Sequence, residues 1–296
     1  MSGRPTRADR AYLDLQLQAR KAGRGTQEYL VRYALERLLY RLGQTPWRDR
    51  FVLKGGMLLA VFDVRRPTQD LDTAARALDN DIATVIAWLG EVVAVEVDDG
   101  VSFDAGSLRA ELIREGDPYP GIRAHATARL ATAEIPLEID VNFGDPVVPG
   151  PATVAYASLL AQPFDVLAYP MAAVLGEKVE TMVRRGDANT RERDFADVWS
   201  LSGTHSVDAS EFGAAVRATA AFRGTQLLPL SQALRSYAQL RQQAWGDFLA
   251  RTGLGDAVPG QLDEVVRDVA RFADPVLSGE VTDGTWGPAA RSWVVT

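Results

Sequence analysis

Residues 51–73, FVLKGGMLLAVFDVRRPTQDLDT, restrict what this chain can fold into more than any other stretch. RFVLKGG reads as a short strand running into a turn, and MLLAVF as a short helix packed behind it. After the turn at Pro67, TQDLDTAA reads as a second strand. Asp70 and Asp72 are two residues apart on it, so both side chains point to one side. Two carboxylates held that close repel each other unless a cation lies between them. All-oxygen ligands of this kind suit Mg²⁺, which keeps several waters and shares its ligands with substrate phosphates. D-x-D also occurs in ordinary surface turns, and the pair alone does not separate the two readings. The glycines add context. Gly55 and Gly56 end a strand and open a helix, where backbone N–H groups can approach phosphate oxygens. Thr68 offers a hydroxyl two residues before Asp70.

Composition closes off several other chemistries. There are no cysteines, so disulfides, thiolate metal sites and cysteine nucleophiles are excluded. Two histidines, His125 and His205, are too few for a multi-histidine zinc centre. No apolar run reaches membrane-spanning length and no secretory h-region follows the N-terminus, so the expected location is the cytoplasm, with no membrane partner. The net charge of −7 argues against a basic nucleic-acid binder as a whole. Residues 1–66, however, hold fourteen Lys and Arg against six Asp and Glu. That basic segment reads either as a nucleic-acid footprint or as a solvated helix face. Only three of the 32 basic residues are lysines, Lys21, Lys54 and Lys178. In so Arg-biased a chain a Lys inside a motif carries information, since it supplies a compact point charge that a planar guanidinium does not.

Along the chain, a helix is expected within residues 1–25 and a stronger one over 26–42, capped by Thr26 and stopped by Gly43. NDIATVIAWLGEVV reads as a helix capped by Asn80 or Asp81. AVEVDDGVSFD alternates like a strand, and SLRAELI fits either element. Residues 122–130 and 135–143 form an expected hairpin. In its second arm Ile139, Val141 and Phe143 share one face, and Glu138, Asp140 and Asn142 the other. GDPVVPGPATV is a Pro/Gly-rich connector, placing a lobe boundary near residues 145–165. Beyond it, helices are expected at 170–185, 190–202, 208–221, 229–250 and 260–273, with Trp286 and Trp293 as packing anchors. The fold class is therefore α+β: an N-terminal helical segment at 1–50, a core lobe of strands and helices at 51–160, and a mainly helical lobe at 161–296.

The order strand, Gly-Gly, short helix, then D-x-D on the next strand resembles the signature of the nucleotidyltransferase superfamily (polymerase beta-like). That superfamily uses a third carboxylate on a later strand. Asp140 in LEIDVNFGD is the preferred match and Glu138, on the same face, its rival. The segment YPMAAVLGEKVETMVRRGDANTRERDFADVWSL is similar to the hallmark of the AbiEii/AbiGii toxin family. The matching residues are Pro170, Glu177, Lys178, Arg184 or Arg185, Arg193, Asp194 and Asp197. LKGG, RPTQDLD, LEIDVNFGD and the closing Trp286, Pro288 and Trp293 look like family segments too. On the residues alone, Lys178 could equally be an exposed lysine paired with Glu177 or Glu180, and Asp194 and Asp197 plain charges near a helix N-terminus.

The resemblance implies a nucleotidyltransferase-type mixed sheet in the core lobe, and Mg²⁺-dependent transfer of a nucleotide from an NTP, with two metal ions. Asp70, Asp72 and Asp140 would hold the metal, and these three with Lys178 and Asp194 would form the catalytic set. Gly55, Gly56, Arg66, Thr68, Lys178 and Arg193 would bind the NTP. Asp194 would orient Lys178 or an active-site arginine. It further implies a toxin of a bacterial type IV-like toxin–antitoxin or phage-defence system that adds nucleotides, often pyrimidines, to the tRNA 3′ end and so blocks translation. An AbiEi-like antitoxin would be its partner. A small-molecule nucleotidyltransferase of the antibiotic-modifying type, and a non-catalytic binding protein on the same fold, are the competing expectations.

Overall fold

A computed structural model describes residues 4–64, 67–113 and 121–295. Arg66, expected among the nucleotide-binding residues, lies outside the described residues. The chain divides into two compact units, Met1–Gly144 with Ala152–Ala168, and Asp145–Pro151 with Tyr169–Thr296.

In the first unit, α1 (Arg7–Lys21) and α2 (Thr26–Leu42) pack through Leu15 and Ala19 of α1 and the apolar stripe of α2. The cap of α2 is Gly25 rather than Thr26, which is its first helical residue. Then follow β1 (Phe51–Lys54), the five-residue α3 (Gly55–Leu59) and β2 (Asp70–Ala75), as the glycine pair and the Pro67 turn predict. Helix α4 (Ile82–Val93) takes Asp81 as its cap, which accepts from the Thr84 N–H. Strands β3 (Val101–Ile113), β4 (Gly121–Leu130) and β5 (Ala133–Phe143) run as an antiparallel meander. Last come β6 (Ala152–Tyr156) and β7 (Phe164–Ala168).

The seven strands form one mixed sheet in the order β3-β4-β5-β2-β1-β7-β6. β2 lies antiparallel to β1 and parallel to β5, and β7 lies parallel to β1. Apolar residues on α2, α3 and α4 cover the sheet, with Phe51 stacked on Trp88 at 3.9 Å between ring centroids.

Two further local expectations give way in this unit. The alternation from Ala94 does not continue a strand, since β3 begins only at Val101. Asp99 turns inward instead and takes both arms of the buried Arg41 guanidinium at 2.7 and 3.1 Å. Arg41 also donates to the Val95 and Val101 carbonyls. Asp99 also accepts from the Val101 N–H, so the pair fixes the backbone just where β3 begins. The Pro/Gly-rich connector also conceals β6 and β7, whose short runs bury Tyr156, Val166 and Ala168.

The second unit holds α5 (Met171–Arg185), α6 (Glu192–Thr204), β8 (Val207–Asp208), α7 (Ala209–Arg223), α8 (Leu230–Ala233), α9 (Tyr237–Thr252), α10 (Leu262–Leu277), β9 (Thr285–Gly287) and β10 (Ser292–Val294). The single helix expected over 229–250 is broken between α8 and α9. The Asp274 carboxylate accepts from the Leu230 and Ser231 N–H groups, and Asp187 from that of Ser236, so both starts are fixed by other elements. Trp286 and Trp293 are packing anchors as expected. Their indoles donate to the Ser202 and Phe272 carbonyls and both rings pack on Phe272. Among the described residues, no helix is long and apolar enough to cross a membrane.

Candidate active site

Register decides which charged side chains meet on the sheet. Lys54 lies opposite Asp72, Asp72 opposite Asp140, and Asp140 opposite Arg123, across β1, β2, β5 and β4. Cross-strand partners share a face, so one transverse row reads Lys, Asp, Asp, Arg. In the row beside it Asp70 faces Glu138 and Glu138 faces His125.

One carboxylate oxygen from each of Asp70, Asp72 and Asp140 lies within 4.8 Å of the other two, and Asp140 is buried. Glu138, the rival third carboxylate, keeps 48% of its side chain exposed and meets Arg123 at 3.4 Å. The donor set is three carboxylates with no nitrogen or sulfur, which fits a hard divalent cation such as Mg²⁺. Thr68, expected at the phosphates, donates its hydroxyl to Asp70 at 3.0 Å and so sets the angle of that carboxylate.

Gly55 has a structural reason that the phosphate argument does not contain. Its φ is +66°, and a Cβ there would stand 1.9 Å from the Asp72 Oδ2. The missing side chain is the space that the carboxylate occupies. Gly56, beside it in α3, is buried. Gly55→Ala is expected to lower stability by about 1–3 kcal/mol through its positive φ. It should also push Asp72 off its place, and a displacement near 1 Å costs catalysis about a hundredfold. Thermal melts and nucleotide-transfer rates on one preparation separate the two effects.

Arg123 carries no signal in the sequence alone. It makes a two-armed pair with Asp140, Nε to Oδ1 and Nη2 to Oδ2, both at 2.8 Å. That hydrogen bonding holds its guanidinium charged beyond its already high range, and Glu138 and Asp70 add to the effect. No spacing rule reveals such a residue; only pairing the hairpin arms in register does.

In the second unit Lys178 of α5 donates to Asp194 and Asp197 of α6, both at 2.7 Å. Both carboxylates are buried and the lysine nearly so. Lys178 is thus not paired with Glu177 or Glu180. Those two, with Asp145, surround Arg223 instead. The guanidinium that meets Asp194 is Arg191's, at 2.6 Å, while Arg193 sits half-buried on the same helix. Burial pushes the Asp194 carboxyl upward, but the charges of Lys178 and Arg191 outweigh it and hold it well below its usual range.

A β1–α3–β2 unit presenting D-x-D on a mixed sheet, beside a third carboxylate on the parallel neighbour, is the arrangement of a nucleotidyltransferase. The family model for the nucleotidyl transferase AbiEii toxin of type IV toxin–antitoxin systems matches residues 37–269, most of the chain. The chain belongs to that family. Two solved structures from Helicobacter pylori are similar, each at a TM-score of 0.48 and covering 86% of this chain. One is JHP933, 13% identical over 94% of its own length. The other is a candidate nucleotidyltransferase, 15% identical over 96% of its length. No curated protein matches.

Proposed function

We propose that this protein is a Mg²⁺-dependent toxin that moves a nucleotide from an NTP to an RNA acceptor, the tRNA 3′ end, and blocks translation in the cytoplasm. The observation that carries the reading is the convergence of Asp70, Asp72 and Asp140 in an all-oxygen cluster, in a chain of the AbiEii family. Two Mg²⁺ ions at these carboxylates would neutralise the triphosphate and the attacking oxygen, as in two-metal phosphoryl chemistry. The chain's own part is positioning. Asp70 is aimed by Thr68, and Asp72 is seated over Gly55. Asp140 draws the proton of the acceptor hydroxyl as its oxygen attacks the α-phosphorus and pyrophosphate leaves. Lys178, held by Asp194 and Asp197, is assigned to an anionic oxygen of the NTP. Gly56, Arg66 and Arg193 are assigned to the same nucleotide. The type IV antitoxin partner would be an AbiEi-like protein, and phage defence the setting.

The test is incubation with each radiolabelled NTP, Mg²⁺ and total tRNA, beside the Asp72→Asn variant. Label on tRNA that vanishes in the variant supports the reading, and no transfer to any RNA with any NTP sinks it. Label on an amino-sugar acceptor instead would favour the small-molecule enzyme.

The acceptor surface makes a separate prediction. Arg20 and Lys21 are exposed at the end of α1, and Arg24 lies half-exposed beyond it, 3.9 Å from Glu28. By contrast Arg37 and Arg41 are buried, so part of the basic surplus is interior. Changing Arg20, Lys21 and Arg24 together to Gln should weaken tRNA modification about tenfold or more at low salt. It should also flatten the log–log salt dependence by about two units. Modification rates across a KCl series read both, and unchanged rates would remove this surface from the acceptor path.

A further inference from the structure

We propose that Arg123 is the built-in counter-ion of the carboxylate cluster, holding Asp140 while no metal is bound and giving it up when a divalent cation arrives. The inference rests on the metal reading above. Arg123 occupies both oxygens of Asp140 at 2.8 Å, and one of those oxygens is also within ligand range of Asp70 and Asp72. A metal ion and a two-armed guanidinium therefore compete for the charge and the orientation of the same carboxylate. The Arg123 side chain is 33% exposed, which leaves it room to turn away from Asp140. Two further carboxylates flank it, one of them, Glu111, 3.7 Å from the His125 Nε2. Glu138 is already 3.4 Å from Nη1, and Glu111 lies directly opposite Arg123 on β3. Both are substantially exposed, 48% and 66% at the side chain. The cluster thus has a way to stay charge-compensated in either state, with a short swing between them. Arg123 is a positioning residue in this scheme: it keeps Asp140 turned into the cluster and sets the threshold for metal entry.

The test is Mn²⁺ binding, followed by the electron paramagnetic resonance of free Mn²⁺, in the full chain and in Arg123→Gln, Arg123→Lys and Asp72→Asn. An opposing charge at this range shifts a binding equilibrium about tenfold or more. Arg123→Gln removes the competing charge but keeps a hydrogen-bonding amide, so it should bind Mn²⁺ about tenfold tighter than the natural chain. Arg123→Lys keeps the charge and should stay within about threefold. Arg123→Gln binding equally or more weakly overturns the inference. A second readout needs no folded Gln variant. The Arg123 Nε–H signal, assigned by its loss in Arg123→Lys, should exchange faster with solvent once Mg²⁺ saturates the natural chain. Unchanged exchange overturns the inference as well. Asp72→Asn keeps the two failures apart. If that variant loses Mn²⁺ while Arg123→Gln matches the natural chain, only the counter-ion role falls. If Asp72→Asn leaves Mn²⁺ affinity intact, the metal reading falls and the counter-ion role with it.

Discussion

Asp72→Asn is expected to lower nucleotide transfer by at least about a thousandfold, a loss of about 4 kcal/mol of transition-state stabilisation, while the protein stays folded. Asp72 stands between Lys54 and Asp140 in the transverse row and provides one of three oxygens gathered within 4.8 Å. The amide keeps the shape of the carboxylate, so the space over Gly55 stays filled. What it removes is charge. The change relieves repulsion from Asp70 and Asp140 but takes away the charge opposite the buried Lys54, and with the two effects opposed the metal-free unfolding midpoint should move little. The diagnostic result is this split: transfer lost, unfolding midpoint little moved. A variant that loses both together would make Asp72 a packing residue. A variant that keeps transfer would remove D-x-D from the mechanism.

The same residues show why some of the site was legible in the sequence and some was not. Asp70 and Asp72 were readable because period-two alternation puts i and i+2 on one face whatever the rest of the chain does. Asp140 was readable as a charged position on a strand that buries Ile139 and Val141, although only the family resemblance separates it from Glu138. The pairing register explains the choice physically. β5 sets Asp140 beside Asp72 and Glu138 beside Asp70, and only Asp140 is drawn in, by Arg123. Arg123 stayed hidden because its role is non-local: nothing within β4 distinguishes it from Arg129, which lies on the same face of the strand and pairs at its exposed end with Asp104 and Glu134. Arg41 and Asp99 were hidden for the same reason, and their pairing ended a strand that local alternation would have extended. β6 and β7 were masked by Pro and Gly that mark their ends rather than a structureless connector.

Lys178→Met is expected to destabilise the protein by about 3–5 kcal/mol at pH 7, the usual cost of removing one partner from a buried ion pair. Asp194 and Asp197 are each only about 2% exposed at the side chain, and Lys178 is the ammonium that bridges them at 2.7 Å. Without it, two carboxylates three residues apart on α6 stay buried, with Arg191 left on Asp194. The pH dependence carries the sign. Burial raises the Asp194 carboxyl, Lys178 and Arg191 lower it further, and the folded value falls well below the ordinary 3.8. A depressed carboxyl contributes stability that is complete above its unfolded value and is lost as pH falls through the folded one. The gap between the natural chain and Lys178→Met should therefore be full at pH 5 to 7 and narrow steadily below pH 4. Urea unfolding at pH 7, 5 and 3 measures it, and a gap that does not change with pH would show that the lysine stabilises through packing of its stem. Lys178→Arg separates fold from chemistry. It keeps a cation between the two carboxylates, so it should recover much of the stability. A planar fork cannot reproduce the compact ammonium assigned to the NTP, so transfer should stay low.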